Sequence, residues 1–468
     1  MVEKMEEDEE QQMLMPDKKL IQNESKNRFS INGNKNQEQK SVRETQDNKF
    51  KSEDYILNIN QKNQFYLKKI FDEETLMNFN YEVKKIQYDN IKTGVEKYSI
   101  LYERYVKETY RKQTYPNYDK QFSENVLNGK LNLIFGDSLE LLKKLPSESI
   151  QVMVTSPPYY NAREYSKWNN LDEYLDNMKE IINECYRVLD NHRAFLFNVG
   201  DIFDNPNRLT RSTWGKERIP LGMYFLNIFE ESGFKFVDDI IWDKGEVQSS
   251  RHKNSFRPYP LYQYPINSYE HIFVFMKHRL DKYRYPCPIC GSLKVNGNTQ
   301  SEPGVQSWEC KNYDCFERSK SNRGKRFSLI SNIKQRNQNE ENKIEEGLIQ
   351  KWRRDIVKFP PVIKINSHGK NTLGHTAPFP EDIPEYAVKA FSFVGETLLD
   401  PFAGSFTSAI VAAKYGRIGI GFELHKENII VAKKRMAQLN YNSGYKVIYY
   451  DNNELIVNEY KRRLLDFE

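Results

Sequence analysis

The sequence predicts an α/β fold, a mostly parallel sheet with helices on both faces. Three observations carry that expectation. Short β-branched and aromatic runs alternate with helical repeats through residues 131–278 and again through 395–440. The run "IQVMVTSPPYYNAREY", residues 150–165, halts at Thr155-Ser156-Pro157-Pro158, where two prolines remove backbone donors and fix a rigid turn. The run "LLDPFAGSFTSAIVAAKYGRIGIGFEL" reads as strand, small-residue turn, helix and strand, with Glu423 closing the second strand. Strand ends of this kind are where open α/β sheets hold their ligands.

Taken in order, residues 1–52 are rich in Glu, Asn, Gln, Lys and Ser and poor in apolar side chains, so a disordered tail is expected. Residues 53–128 carry spaced apolar and aromatic positions and are expected to form an accessory helical region. Residues 129–278 begin the α/β pattern. Leu131, Leu133 and Phe135 alternate, and Gly136-Asp137-Ser138 ends that strand and starts a helix. "LDEYLDNMKEIINECYRVLD" has helical spacing at Leu175, Met178, Ile181, Ile182 and Cys185, which places Cys185 in the core. "RAFLFNVGD" is a strand, "PLGMYFLNIFEESGF" a helix closed by Gly233, and "KFVDDIIWDKG" and "SYEHIFVFMKH" are strands. Residues 279–356 interrupt the pattern with basic and polar residues and four cysteines. Residues 357–468 resume it and include the helix "KENIIVAKKRMAQL".

Composition narrows the class. With 70 Lys and Arg against 65 Asp and Glu, a net charge of +5 does not announce a nucleic-acid binder, although the charges can be segregated onto one face. The 30 Tyr and 27 Phe suit base stacking as well as core packing. No apolar run is long enough to span a bilayer, and the acidic start "MVEKMEEDEEQQ" is unlike a signal peptide. The expectation is a soluble intracellular protein with no membrane partner, in the cytoplasm or nucleoid, or in the nucleus if the source is eukaryotic. Nothing in the sequence names a restriction-enzyme or chromatin partner.

An acid about 20 residues beyond a small-residue turn is placed to reach ribose hydroxyls, so this βαβ unit points to an adenosine-containing cofactor. "TSPPY" together with "DPFAGSFTS" resembles the S-adenosylmethionine-dependent amino methyltransferases that act on DNA. The catalytic turn precedes the cofactor turn, which resembles the permuted, or beta, class. The resemblance implies a Rossmann-like methyltransferase sheet, S-adenosylmethionine as cofactor and double-stranded DNA as partner. It assigns Ser156, Pro157, Pro158 and Tyr159 to the catalytic turn. It assigns Asp400, Pro401, Phe402, Gly404 and Ser405 to the cofactor turn, Glu423 to the cofactor as well, and Asp137 to its adenine. His375 and Thr376, in "LGHTAPFPEDIPEYAVKAF", correspond to a segment that lies against the cofactor. One position departs from the family. Phe406 stands where a glycine is usual, and so bulky a side chain must point away from the cofactor.

The chemistry accounts for the proline turn. An exocyclic amine on a base is a poor nucleophile, because its lone pair is delocalised into the ring. Acceptors for its two hydrogens favour a pyramidal nitrogen, and Ser156 Oγ and the Pro157 carbonyl are such acceptors, pre-set by the prolines. Tyr159 is expected to stack on a base turned out of the helix. Serine before Pro-Pro is the family's habit for cytosine N4, so site-specific methylation of that amino group is the expected activity. Adenine N6 methylation by the same machinery is the alternative. A nucleic-acid-binding protein on a decayed methyltransferase fold is a further one, and a dinucleotide dehydrogenase fits the turn less well. Methylation at cytosine C5 needs a nucleophilic cysteine after proline, and the one Pro-Cys, Pro286-Cys287, lies inside a C-x2-C pair instead.

That pair opens "CPICGSLKVNGNTQSEPGVQSWECKNYDC". Cys287 and Cys290, then Cys310 and Cys315, have the spacing of a four-thiolate structural zinc ribbon. It falls where the permuted class carries its target-recognition region. The basic runs "KHRLDKYRY", "ERSKSNRGKRF" and "NIKQRNQ" around it are expected on phosphates, and "SSRHKNSFRP" in a loop over the substrate.

Overall fold

The computed structural model describes residues 67–68, 70–87, 91–160, 168–203, 218–245, 260, 268–278, 287, 289–290, 292, 294–301, 305–315, 318, 326–327, 339–361, 380–451 and 454–460. The expected tail, residues 1–52, lies outside them, as does most of each basic run.

Among the described residues, three helices of a turn or more come first: α1 (Glu73–Lys84), α2 (Ile91–Thr114) and α3 (Lys120–Leu127). Asp72 and Asp119 cap the first and third, accepting from the Thr75 and Phe122 N–H groups at 2.8 and 2.9 Å. The α/β portion then runs β1 (Leu131–Phe135), α4 (Ser138–Lys143), β2 (Ile150–Thr155), α5 (Leu171–Val188) and β3 (Leu189–Val199). A two-residue pair, β4 (Ile202–Phe203) and β5 (Arg218–Ile219), precedes α6 (Leu221–Glu231), β6 (Phe234–Asp243) and β7 (Tyr269–Lys277). A small antiparallel sheet follows, β8 (Val295–Ser301), β9 (Val305–Cys310) and β10 (Arg326–Phe327). The chain returns through α7 (Glu346–Trp352), β11 (Ile356–Lys358), α8 (Asp382–Phe391), β12 (Thr397–Asp400), α9 (Thr407–Lys414) and β13 (Ile418–Glu423). It closes on α10 (Asn428–Gln438), β14 (Tyr445–Asp451) and β15 (Glu454–Tyr460).

Ten strands form the main sheet in the order β11-β6-β7-β3-β2-β12-β13-β1-β14-β15. From β3 to β14 all neighbours are parallel. β7 runs antiparallel between β3 and β6, and β15 runs antiparallel at the far edge. The centre is a pairing of strands remote in sequence, with Val152 opposite Leu398 and Met153 opposite Leu399. After β2 the chain moves to one side of the sheet, and after β12 to the other. The ends of β2 and β12 therefore flank the topological switch point, where the crevice of an open α/β sheet lies.

Alternating residues of one strand serve opposite faces. Met153 joins Phe197, Phe225, Phe229 and Phe275 on the face covered by α5 and α6, where the Phe229 and Phe275 rings stack at 3.9 Å. Val152 and Val154 pack with Leu398 and with Ile383, Ala387 and Val388 of α8 on the other. Cys185 is buried in the first of these cores. Two segments join the main body more closely than sequence divisions at 128 and 356 suggest. Phe122 and Val126 of α3 lie in the main core. β11 pairs with β6, and Trp352 of α7 stacks on Tyr386 at 4.2 Å. No described helix is long and apolar enough to cross a membrane.

Candidate active site

Hydrogen bonds tie the strand ends at the switch point. Thr155 Oγ1, the last residue of β2, donates to Asp400 Oδ1 at 2.5 Å, and the Phe402 N–H donates to the same oxygen at 3.0 Å. Ser138, beginning α4 after β1, donates to the Pro401 carbonyl at 2.5 Å. Burial pushes the Asp400 carboxyl up to about 6, against the pull of the Thr155 and Phe402 donors.

The turn after β12 is shaped around a second acid. The Gly404 N–H donates to Glu423 Oε2 and the His425 N–H to Oε1, each at 2.9 Å. Glu423 is buried at the end of β13, and desolvation raises its pKa. Gly404 sits at φ 51°, a conformation that glycine adopts without strain. Asp137 stands exposed at the end of β1 and caps α4, accepting from the Glu140 N–H at 3.1 Å. Carboxyl groups thus stand at the carboxyl ends of three neighbouring parallel strands, β12, β13 and β1.

Phe406 resolves the departure at the glycine position. It takes the left-handed conformation a glycine would, φ 59°, and its ring turns down into the core, fully buried against Phe135 at 5.4 Å. The space comes from Gly421, where a Cβ would lie 2.5 Å from Phe406 Cδ1 and 2.7 Å from Ala403 Cβ. The ring therefore leaves the upper surface of the turn open.

On the β2 side, Pro157 is buried, while Ser156, Pro158 and Tyr159 are half-buried. Tyr174 of α5 donates to the Pro158 carbonyl at 2.9 Å, fixing the turn to the helix behind it. The Tyr159 hydroxyl receives the Gly200 N–H at 2.8 Å and lies 3.3 Å from Glu270 Oε2. Burial first, then the Glu270 charge, raises the Tyr159 phenol well above its ordinary pKa. Of the two adjacent tyrosines, Tyr160 is buried against Tyr174, while Tyr159 is half-buried against the main core.

The N6/N4 methyltransferase family model, described as DNA methylase, matches residues 150–434, a span holding both turns and more than half of the chain. The chain belongs to this DNA methylase family. The Type II beta methyltransferase M.BslI of Bacillus sp. (strain NEB-606) is 40% identical over 314 residues, covering 66% of this chain and 28% of that protein. The chain thus spans less than a third of that relative's length. M.ScaI of Streptomyces caespitosus is 27% identical over 311 residues, covering 65% of this chain and 80% of its own. The DNA adenine methyltransferase YhdJ of Escherichia coli (strain K12) is 26% identical over 318 residues, covering 66% and 83%.

In this family member the structure brings together Ser156 to Tyr159, Asp400 to Ser405, Glu423 and Asp137 along one edge of the sheet. His375 and Thr376 lie outside the described residues. The four cysteines of the inserted segment also converge. The Sγ atoms of Cys287, Cys290, Cys310 and Cys315 all lie within 4.8 Å of one another, and Asn312 Nδ2 donates to Cys290 Sγ at 3.7 Å. Sequence reasoning missed Thr155 and Ser138 as ties between strand ends, and Gly200, Lys244 and Glu270 around Tyr159. Only Gly200 left a local signal, the Gly-Asp that ends "RAFLFNVGD".

Proposed function

We infer that the chain transfers a methyl group from S-adenosylmethionine to the exocyclic N4 amino group of cytosine in double-stranded DNA, within a short recognition sequence. The observation that carries this reading is the meeting of the two turns across β2 and β12, clasped by Thr155 on Asp400. The cofactor suits the residues present. Its adenine amino group, ribose hydroxyls and ammonium are donors, its sulfonium is cationic, and the site offers the acceptors Asp137, Glu423 and Asp400 beside the open turn at Gly404. When bound there, S-adenosylmethionine supplies an electrophilic methyl group.

The chain's own residues do the rest. Asp137 receives the adenine, Glu423 the ribose hydroxyls, and Asp400, Pro401, Phe402, Gly404 and Ser405 shape the floor, with His375 and Thr376 completing it. Ser156 Oγ and the Pro157 carbonyl accept the hydrogens of the target amine, and Tyr159 stacks on the extruded base. A serine hydroxyl suits the cytosine edge, where N3 is an acceptor beside the N4 donor. Adenine N6 is the second reading, favoured by the relative named as a DNA adenine methyltransferase. Ser156→Ala is expected to lower kcat by about 100-fold while leaving the Kd for S-adenosylmethionine unchanged. Unchanged kcat would remove Ser156 from the chemistry.

The cysteine cluster is assigned to one structural zinc ion held by four thiolates, since four soft ligands at this spacing close a tetrahedral site. Metal analysis of the purified protein should find one zinc per chain. Chelation should weaken DNA binding and spare S-adenosylmethionine binding, because the ribbon is built on β8 and β9 rather than on the main sheet. Protein free of metal with full DNA affinity would contradict the assignment.

A further inference from the structure

Behind the turn after β12 stands a buried cation. Arg435 of α10 is 9% exposed, and its neighbours Ala432 and Met436 pack in one core with Ala403 and Phe406 of the turn. Arg435 Nε donates to Thr407 Oγ1 at 3.0 Å, and its Nη1 donates to Gln438 Oε1 at 3.2 Å. Thr407 Oγ1 in turn lies 2.9 Å from Ser405 Oγ. That link spans Phe406, which holds a left-handed φ of 59° and, at the N-cap of α9, gives the helix no side-chain cap. The residues on either side of the strained position are thus tied to each other and to α10.

Counting protons gives the link a direction. A guanidinium only donates, so Thr407 Oγ1 accepts from Arg435. Thr407 and Ser405 then bring two hydroxyl protons to one shared hydrogen bond. Thr407 is 1% exposed, and Ser405 Oγ is the acceptor that the described residues offer its proton. Accepting from a cation also makes the Thr407 hydroxyl the stronger donor of the two. Thr407 therefore donates to Ser405. The proton of Ser405, a residue only 4% exposed, is left without an acceptor among the described residues, and a buried donor of that kind calls for a partner in the ligand. The acids Asp137, Glu423 and Asp400 suit the donors and cations of S-adenosylmethionine, but not its carboxylate. We propose that Arg435 is a positioning residue for that carboxylate, holding Ser405 through Thr407 as a hydrogen-bond donor to the carboxylate end of the cofactor. The inference rests on the amino-methyltransferase reading and deepens it. An arginine outside both motifs then sets a positive charge behind the turn, opposite in sign to the three acids at the strand ends.

Thr407→Val breaks the relay with little change in volume and leaves Arg435 in place, while Arg435→Met removes its source. The probes are S-adenosylmethionine and its decarboxylated form, which keeps the adenosine, the sulfonium and the amine. Each variant is expected to bind S-adenosylmethionine roughly tenfold more weakly than wild type, and to bind the decarboxylated form as wild type does. Ser405→Ala should lose as much, and adding Arg435→Met to it should cost nothing further, since the relay is already cut at its end. Equal losses for both probes in Thr407→Val, or losses that add in the double variant, would overturn the proposal. Thr407→Val decides the first of these even where Arg435→Met fails to fold.

Titration calorimetry reads these affinities without turnover, which separates the relay from the functional reading itself. Wild-type protein that fails to bind S-adenosylmethionine would refute the function, and the relay with it. Wild-type protein that binds it, with variants that do not distinguish the two probes, would refute the relay alone.

Discussion

Gly419→Ala is expected to destabilise the fold by about 3 kcal/mol or more, and to leave little soluble protein at physiological temperature. An added Cβ would stand 1.9 Å from the Ala409 carbonyl oxygen and 3.0 Å from Ala409 Cα. Both are backbone atoms of α9, so no rotamer change relieves the contact. Either α9 or β13 must move, and between them they carry the turn and Glu423. Gly419 also pairs with Leu131 on one side and Leu398 on the other, which leaves β13 no free edge toward which to shift. Denaturant or thermal unfolding of the purified variant checks this. A midpoint within experimental error of wild type would mean that helix and strand are packed less closely here than the structure has them.

The second large effect lies at the opposite edge of the sheet from the turns. Lys277 and Glu148 are almost wholly buried, 1% and 2% exposed, and paired at 3.3 Å. Lys277 Nζ also donates to the carbonyls of Tyr186 and Leu189, both at 2.8 Å, closing the carboxyl end of α5. Lys277→Met removes the cation and strands the Glu148 charge in the interior, at an expected cost of about 3–5 kcal/mol. Replacing both residues by methionine should recover much of that loss, because an apolar pair of similar volume leaves no uncompensated charge. Unfolding midpoints of the two variants check the pair. A single variant costing under about 1 kcal/mol would mean that the pair is not charged in the folded protein.

Much of the site was legible in the sequence because its signals are local. β2, β12 and β13 are apolar runs cut off by proline or small-residue turns, and Asp137 announces itself as a helix cap. The cysteine pairs show in their spacing, and the Phe406 side chain had one direction available once a cofactor was placed above it. What stayed hidden depends on contacts between residues far apart in the chain. The Thr155–Asp400 clasp joins positions 245 residues apart, and Ser138 reaches Pro401 across 263. β11 is three residues long and gains its place only by pairing with β6, so composition drew the end of the inserted segment at 356, inside this strand. Lys244 and Glu270 carry no local signal, and only the antiparallel pairing of β6 and β7 brings them together beside Tyr159. Nor does "YY" say which ring faces the core, because alternation ends at the prolines.

The most direct test of the central claim is product analysis. The purified protein is incubated with isotope-labelled S-adenosylmethionine and mixed-sequence duplex DNA, and the digested nucleosides are separated by mass spectrometry. Label in N4-methylcytosine, absent with Ser156→Ala, is the predicted result. Label in N6-methyladenine would contradict the reading of serine, and no label in either nucleoside would contradict the account of the site as a whole.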